Sequence, residues 1–448
     1  MFHERLRIAF AAAELLSSES VRKPANLKHM SENATPAAAV LHHHRRRMGG
    51  RDRHEEHRVA TPLELLFDLT FVVAFAQAAS QFAHAVADNH LKSGLIGFGF
   101  AVFAICWAWI NFSWFASAFD TDDWIFRLTT MLQMIGVIIL ALGLPQVFSS
   151  IEKGVYLDNA VLVLGYVIMR VAMVFQWLRA AKQDPEHRKS CITYAVWISI
   201  AQIGWVAMIF LNLSIGVTLI LSAILMVVEM LGPYLAETKK GGTPWHPHHI
   251  AERYALFAII ALGEGIVGTV AALAAVIESQ GWTLDVALVG LAGVGLTFGM
   301  WWVYFMLPSG HVLHTKRHKS FVWGYGLMIV FASIVATGAG LHVAAYYIEN
   351  KAKIGRLATV LSVAIPVVIF LSSIYALYAY LVEEFDGFHL WLFAGTAVVI
   401  AATISAAALG LSMPVCLLIL MLAPVVTIIG YETRGHQHQA SMLEKGNE

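Results

Sequence analysis

Glu64, Asp68, Glu252, Arg253 and Glu264 stand inside or at the mouths of apolar runs, where a charge requires a counter-charge, a proton or water. In residues 249–268, HIAERYALFAIIALGEGIVG, the steps from His249 to Arg253 and from Arg253 to Glu264 return close to one face of a 3.6-residue helix. That stripe carries an imidazole, a guanidinium and a carboxylate. Counted from Tyr254, where the apolar run begins, Glu264 lies about 15 Å along the axis, near the middle of a hydrocarbon layer about 30 Å thick. A charge there costs roughly 2.5 to 3.5 kcal/mol on insertion scales. The run TPLELLFDLTFVVAFAQAA is built alike: Thr61 suits a cap, Pro62 a first turn, and Glu64 and Asp68 stack at i and i+4. Glu64 complements a helix N-terminus, whereas Asp68, about 10 Å deep, needs a partner.

Arg127, Arg170 and Glu229 are further charges in or beside apolar runs, with Gln133 one to two turns beyond Arg127. The ion- or substrate-binding candidates are Glu64, Asp68, Arg127, Glu252, Arg253 and Glu264, supported by Gln133, Arg170, Glu229 and His249. Their carboxylates outnumber their guanidiniums, which suits a cation, a proton or a protonated buried carboxyl. The alternative is a set of salt bridges that locks helix register. Asp120, Asp122 and Asp123 read as a cap and a solvated loop, with a cation site as the alternative. Trp245-His246-Pro247-His248-His249 has the look of a metal box, but Pro247 disrupts i, i+4 spacing and no metal is expected. His342 is a core histidine or a proton relay. The tryptophans around Trp107, Trp109, Trp114, Trp301 and Trp302, with Tyr304, read as interface belt and helix packing. Cys106, Cys191 and Cys416 each lie in an apolar run without metal or disulfide spacing. No nucleophile-and-base set or phosphate loop has the context it needs, so neither an enzyme nor a cofactor is expected.

The elements that position these residues follow from composition. With 58% hydrophobic and only 13% charged residues and mean hydropathy +0.66, the chain is an all-α polytopic membrane protein whose first partner is the lipid bilayer. A net charge of zero with no basic face excludes nucleic acid. Spans are expected near 61–84, 94–116, 124–145, 155–179, 191–211, 213–235, 250–277, 284–306, 321–348, 356–381, 388–408 and 411–430. The Arg45 to Arg58 region, the Arg179/Lys182/Arg188/Lys189 loop, Lys239/Lys240 and Lys316/Arg317/Lys319 fall on one side of these twelve spans. The other side has few, chiefly Lys351, Lys353 and Arg356. Both termini are therefore expected in the cytoplasm, and the deep charges other than Glu264 in the cytoplasmic half.

FAICWAWINFSWF followed by WIFRLTTMLQMIGVIILALGL matches LTFGMWWVYFMLP followed by FVWGYGLMIVFASIVATGAGL, with Trp109 against Trp302, Phe112 against Phe305 and Gly143-Leu144 against Gly340-Leu341. The ends LGPYLAE and IIGYETR also agree. Two parallel six-helix repeats explain these matches; chance likeness of apolar segments is the alternative. The expected organisation is a disordered cytoplasmic tail at 1–57, halves at 58–236 and 250–431, a linker at 237–249 and a cytoplasmic tail at 432–448. Met30 and Met48 are alternative starts to Met1.

ATPLELLFDLTFVVAFAQ and HIAERYALFAIIALGEGIVG, with FDTDDWIFRLTTMLQMIGV and WWVYF, resemble the bacterial low temperature requirement protein A family over residues 50 to 430. The resemblance implies an integral protein of a bacterial cell membrane, with no established activity. It places the family's charged positions on Glu64, Asp68, Asp122, Arg127, His249, Glu252, Arg253 and Glu264. The chain departs from the family pattern at Met306, where an acidic residue is usual, and at Leu327, where a histidine is. The function expected is a secondary transporter of a small solute, linked to a proton or cation. A two-repeat cation channel is the alternative, by analogy of FDLTF with a lysosomal potassium channel type, and an intramembrane enzyme is third.

Overall fold

The computed structural model describes residues 45–52, 55, 58–211, 213–383 and 387–435; of the tails expected at 1–57 and 432–448, residues 1–44, 53–54, 56–57 and 436–448 lie outside them. Among the described residues there are twelve long helices: α1 Pro62–Ala87, α2 Leu91–Phe119, α3 Trp124–Lys153, α4 Ala160–Gln183, α5 Arg188–Phe210, α6 Ile215–Lys239, α7 Pro247–Gln280, α8 Leu284–Phe305, α9 Ser320–Ile348, α10 Arg356–Val382, α11 Gly387–Ala408 and α12 Met413–Gly430. Each is long and apolar enough to cross a membrane, and the described residues contain no strand. The chain is an all-α, multi-pass membrane protein.

Local chemistry sets the ends that matter to the site. The Thr61 hydroxyl accepts from the Glu64 backbone N–H, the Glu64 carboxylate accepts from the Thr61 N–H at 2.7 Å, and Pro62 takes the first turn, so α1 begins with a complete capping box. Asp123 caps α3 through the Phe126 N–H. Pro247 opens α7 rather than interrupting it, because a first-turn proline forfeits no helical hydrogen bond; His246 caps it through the His249 N–H. Residues 240–246, within the stretch expected as a linker at 237–249, connect α6 to α7. Helix α4 starts at Ala160, five residues later than the expected span.

The helix connections gather at two opposite ends. At one, the Arg51 N–H donates to the Ala118 carbonyl, the Gly50 N–H to Asp184, and Arg317 to the Trp245 carbonyl. At the other, the Lys353 N–H donates to the Ala87 carbonyl and the Ile215 N–H to the Val155 carbonyl. The stretch Arg45–Asp52, expected to be part of a disordered tail, is docked at the first end. Its Arg46 N–H reaches Asp123, its Met48 N–H reaches the Gln183 amide oxygen, and the Met48 side chain is fully buried. Backbone donors with fixed acceptors hold this segment, which a reading of its polar composition does not reveal.

Helix α1 packs on α2 and α3, and α3 on α4; α7 packs on α8 and α9, and α9 on α10. Helices α9 and α7 both pack on α1, whereas no comparable packing joins α3 to α7. The α7–α9 crossing is backbone on backbone. A Cβ at Gly338 would stand 2.6 Å from the Glu264 carbonyl carbon and oxygen, and one at Gly268 would stand 2.5 Å from the Gly338 carbonyl oxygen. Only glycine permits this approach.

Candidate functional site

Arg253, with no exposed surface, is the centre of the buried charges. The turn spacing of α7 aims it at α1, where Glu64 Oε1 lies 2.9 Å from its Nη1 and Asp68 Oδ1 lies 2.5 Å from its Nη2. Nη2 also donates to Ser113 Oγ at 3.2 Å. The Nη1 contact is an ion pair without hydrogen-bond alignment. Asp68 Oδ1 accepts a second bond, from the Trp109 indole N–H at 2.7 Å, while no described group reaches Oδ2. Glu64 is shared more widely: His249 Nε2 stands 3.3 Å from Oε2, and Arg58 Nη2 3.4 Å from Oε1. Arg58 also lies 3.7 Å from Asp120 Oδ2, in the turn after α2. Burial first, and the charge of Glu64 second, push the Asp120 carboxyl up to about 6 against the pull of Arg58.

The candidates thus fall into separate groups, not the single cluster that their shared depth suggested. Glu64, Asp68, His249 and Arg253 meet. Glu252 sits at the rim, accepting the Ala60 N–H at 3.2 Å. Glu264 is on α7 but about 16 Å farther along its axis than Arg253, at 1.5 Å per residue over eleven residues. It is 3% exposed, and among the described residues no hydrogen bond or ion pair reaches its carboxylate. Arg170 and Glu229 pair at 2.8 Å between α4 and α6, where the Tyr166 hydroxyl and the Trp205 indole also bond the carboxylate. Arg127 is far from all of these in kind: it is an exposed residue bonded at 2.8 Å to the equally exposed Asp122. The sequence offset from Asp122 hides this, because Asp122 has φ 48 and turns its carboxylate back onto the helix it precedes. Gln133 is buried on α3, with no partner for its Nε2 among the described residues.

Sequence reasoning did not place Arg58, Asp120, Ser113 or Trp109 in this network. Trp107 and Trp109 are fully buried, which fits the helix-packing half of the expectation and not the interface belt; the Trp109 indole N–H takes Asp68 as its acceptor, whereas that of Trp107 has no partner among the described residues. The only signal available was that Trp109 falls in mid-run, remote from either membrane surface. Trp301 and Trp302 keep surface exposure, Trp301 at 38%. The described residues hold no group of three or more metal-ligating side chains placed to hold an ion.

Three comparisons with known proteins bear on identity. An uncharacterized protein of Rhizobium meliloti (strain 1021) is 28% identical over 307 residues, covering 65% of this chain and 70% of that one. No solved structure gives a significant match. The family model described as bacterial low temperature requirement A protein (LtrA) matches residues 59–424, a range that runs from the turn before α1 into α12 and holds every residue of the Arg253 network except Arg58. The chain belongs to the bacterial low temperature requirement A family.

Proposed function

We propose that this protein is a secondary transporter of a bacterial cell membrane, its cycle linked to a proton or cation, and that Glu264 is the carboxylate that takes up the coupling ion. The observation that carries this reading is the isolation of Glu264: a carboxyl group buried in mid-helix without a described counter-charge is stable when it holds a proton or a cation, and cycling between those states is what coupling requires. The Arg253 network supports it from the other side. It joins α1 to α7 with its charges already matched, which suits a gate between the halves better than a second coupling site. The corresponding pairings α1–α2, α1–α3, α3–α4 and α7–α8, α7–α9, α9–α10 favour two parallel six-helix repeats around an axis along the membrane normal. Lysine and arginine at the Arg45–Asp52 end favour placing that end in the cytoplasm.

The test is proton flux into liposomes holding purified protein, read with a trapped pH-sensitive dye under an imposed sodium or potassium gradient. Wild type should carry protons at a few per protein per cycle, and Glu264→Gln should fold and carry none. A folded Glu264→Gln variant with unchanged flux would sink the assignment, and flux at thousands of ions per opening would make the protein a channel.

A further inference from the structure

A small cleft of about 20 Å3, room for about one water-sized group, is lined by α2, α5, α6, α7 and α9. We propose that it recognises a small primary ammonium ion, which would make that class the solute of the transporter proposed above; the inference rests on that reading for its role in transport, not for binding.

Glu237 supplies the negative charge. Its oxygens accept from the Tyr194 hydroxyl at 3.0 Å, the Thr243 hydroxyl at 2.6 Å and the Thr243 N–H at 3.1 Å. A carboxylate has about four acceptor sites, so one remains for a ligand. Asn111 uses its amide N–H on the Trp107 carbonyl at 2.8 Å, which leaves the amide oxygen as its free end. Tyr325 donates its hydroxyl proton to the Met230 carbonyl and Tyr194 donates its own to Glu237, so both phenol oxygens are left as acceptors. The polar atoms of the cleft are therefore mostly acceptors, and no lysine or arginine lines it. Arg317, whose charge Glu237 feels, lies flat on the Trp245 ring 3.7 Å away, outside the lining.

A protonated primary amine has three N–H donors and a positive charge attracted by aromatic faces. Trp114, Tyr194, Tyr254 and Tyr325 supply those rings, and they are held in place before any ligand arrives. Tyr194 stacks on Trp177 at 4.1 Å, Tyr254 sits against Trp109 at 4.8 Å, and the Trp114 indole donates to the Tyr254 hydroxyl at 3.2 Å. A space of this size admits an NH3+ head and excludes a trimethylated one.

The test is isothermal titration of the purified full-length protein with methylammonium, alongside potassium and tetramethylammonium. Saturable methylammonium binding is expected, with tetramethylammonium and potassium much weaker. Glu237→Gln should weaken it about tenfold or more, as loss of one charge-assisted hydrogen bond does. Gly324→Ala should do likewise by filling the cleft it lines, since its methyl would stand 2.9 Å from the Tyr254 hydroxyl. Arg127→Ala, on the exposed surface and outside the lining, should bind as wild type. Absence of binding, potassium binding as tight as methylammonium, or full affinity in both folded cleft variants would overturn the proposal. Methylammonium binding without any flux in liposomes would overturn the transport reading and leave the cleft standing; flux indifferent to Glu237→Gln would do the reverse.

Discussion

Helix α7 carries two buried ionisable regions that differ in one respect. Around Arg253 every charge faces an opposite one, drawn from α1, from the segment before it and from the turn after α2. Around Glu264 no charged partner is present among the described residues, and the backbone there lies against Gly338. Depth in the membrane is thus a poor guide to role. A matched network resists change because removing one member strands the others, whereas a lone carboxyl is free to exchange its proton.

The sharpest way to break this contrast is Arg253→Met. It leaves Glu64 and Asp68 facing each other without their main cation and should lower stability by about 3 to 5 kcal/mol. Thermal unfolding in detergent should then show partial recovery when Asp68→Asn is added, and none when Glu264→Gln is added instead. Recovery with Glu264→Gln would mean that the two regions are coupled after all.

Asp120 tests the rim of the network. Its carboxyl is raised from a free-chain value of about 3.9 to about 6, so the stabilisation it lends the folded protein is complete below about pH 4 and is lost as pH rises through 6. Asp120→Asn should flatten the pH dependence of unfolding between pH 4 and 7, by on the order of 2 kcal/mol. An unaltered profile would show that Arg58 holds Asp120 ionised throughout.

Glu264→Gln is expected to move stability by no more than about 1 kcal/mol, because it breaks no contact with a described partner. A loss comparable to that of Arg253→Met would place Glu264 in a structural network. Arg127→Ala marks the bottom of the scale. An ion pair with both members more than 40% exposed is worth at most about 0.5 kcal/mol, so its melting curve should overlay that of wild type.

The sequence made the twelve helices legible because bilayer thickness and backbone hydrogen bonding leave few alternatives for apolar runs of this length. It also made legible which residues on α1 and α7 were costly enough to need explanation. Pairing was not legible. Helical period says that His249, Arg253 and Glu264 share a face but not which helix lies opposite, and Arg170, Arg127 and Arg253 look alike until their surroundings are seen. Arg58 escaped notice because it precedes the span, and Trp109 because tryptophans in membrane proteins are expected at the interfaces. The docking of Arg45–Gly50 depends on main-chain donors, which leave no mark in composition.

The glycine crossing of α7 on α9 has a mechanical consequence. With the Glu264 backbone seated against Gly338, the crossing point has no side chain to act as a bearing, and the Tyr254–Trp323 and Phe257–Phe331 ring contacts pin the pair farther along, so one cannot roll without carrying the other. The pair is expected to move as a single girder, hinged on α1 through the Arg253 ion pairs. Spin labels on the outer faces of α7 and α9 should keep a constant separation under conditions that change the distance from α7 to α1.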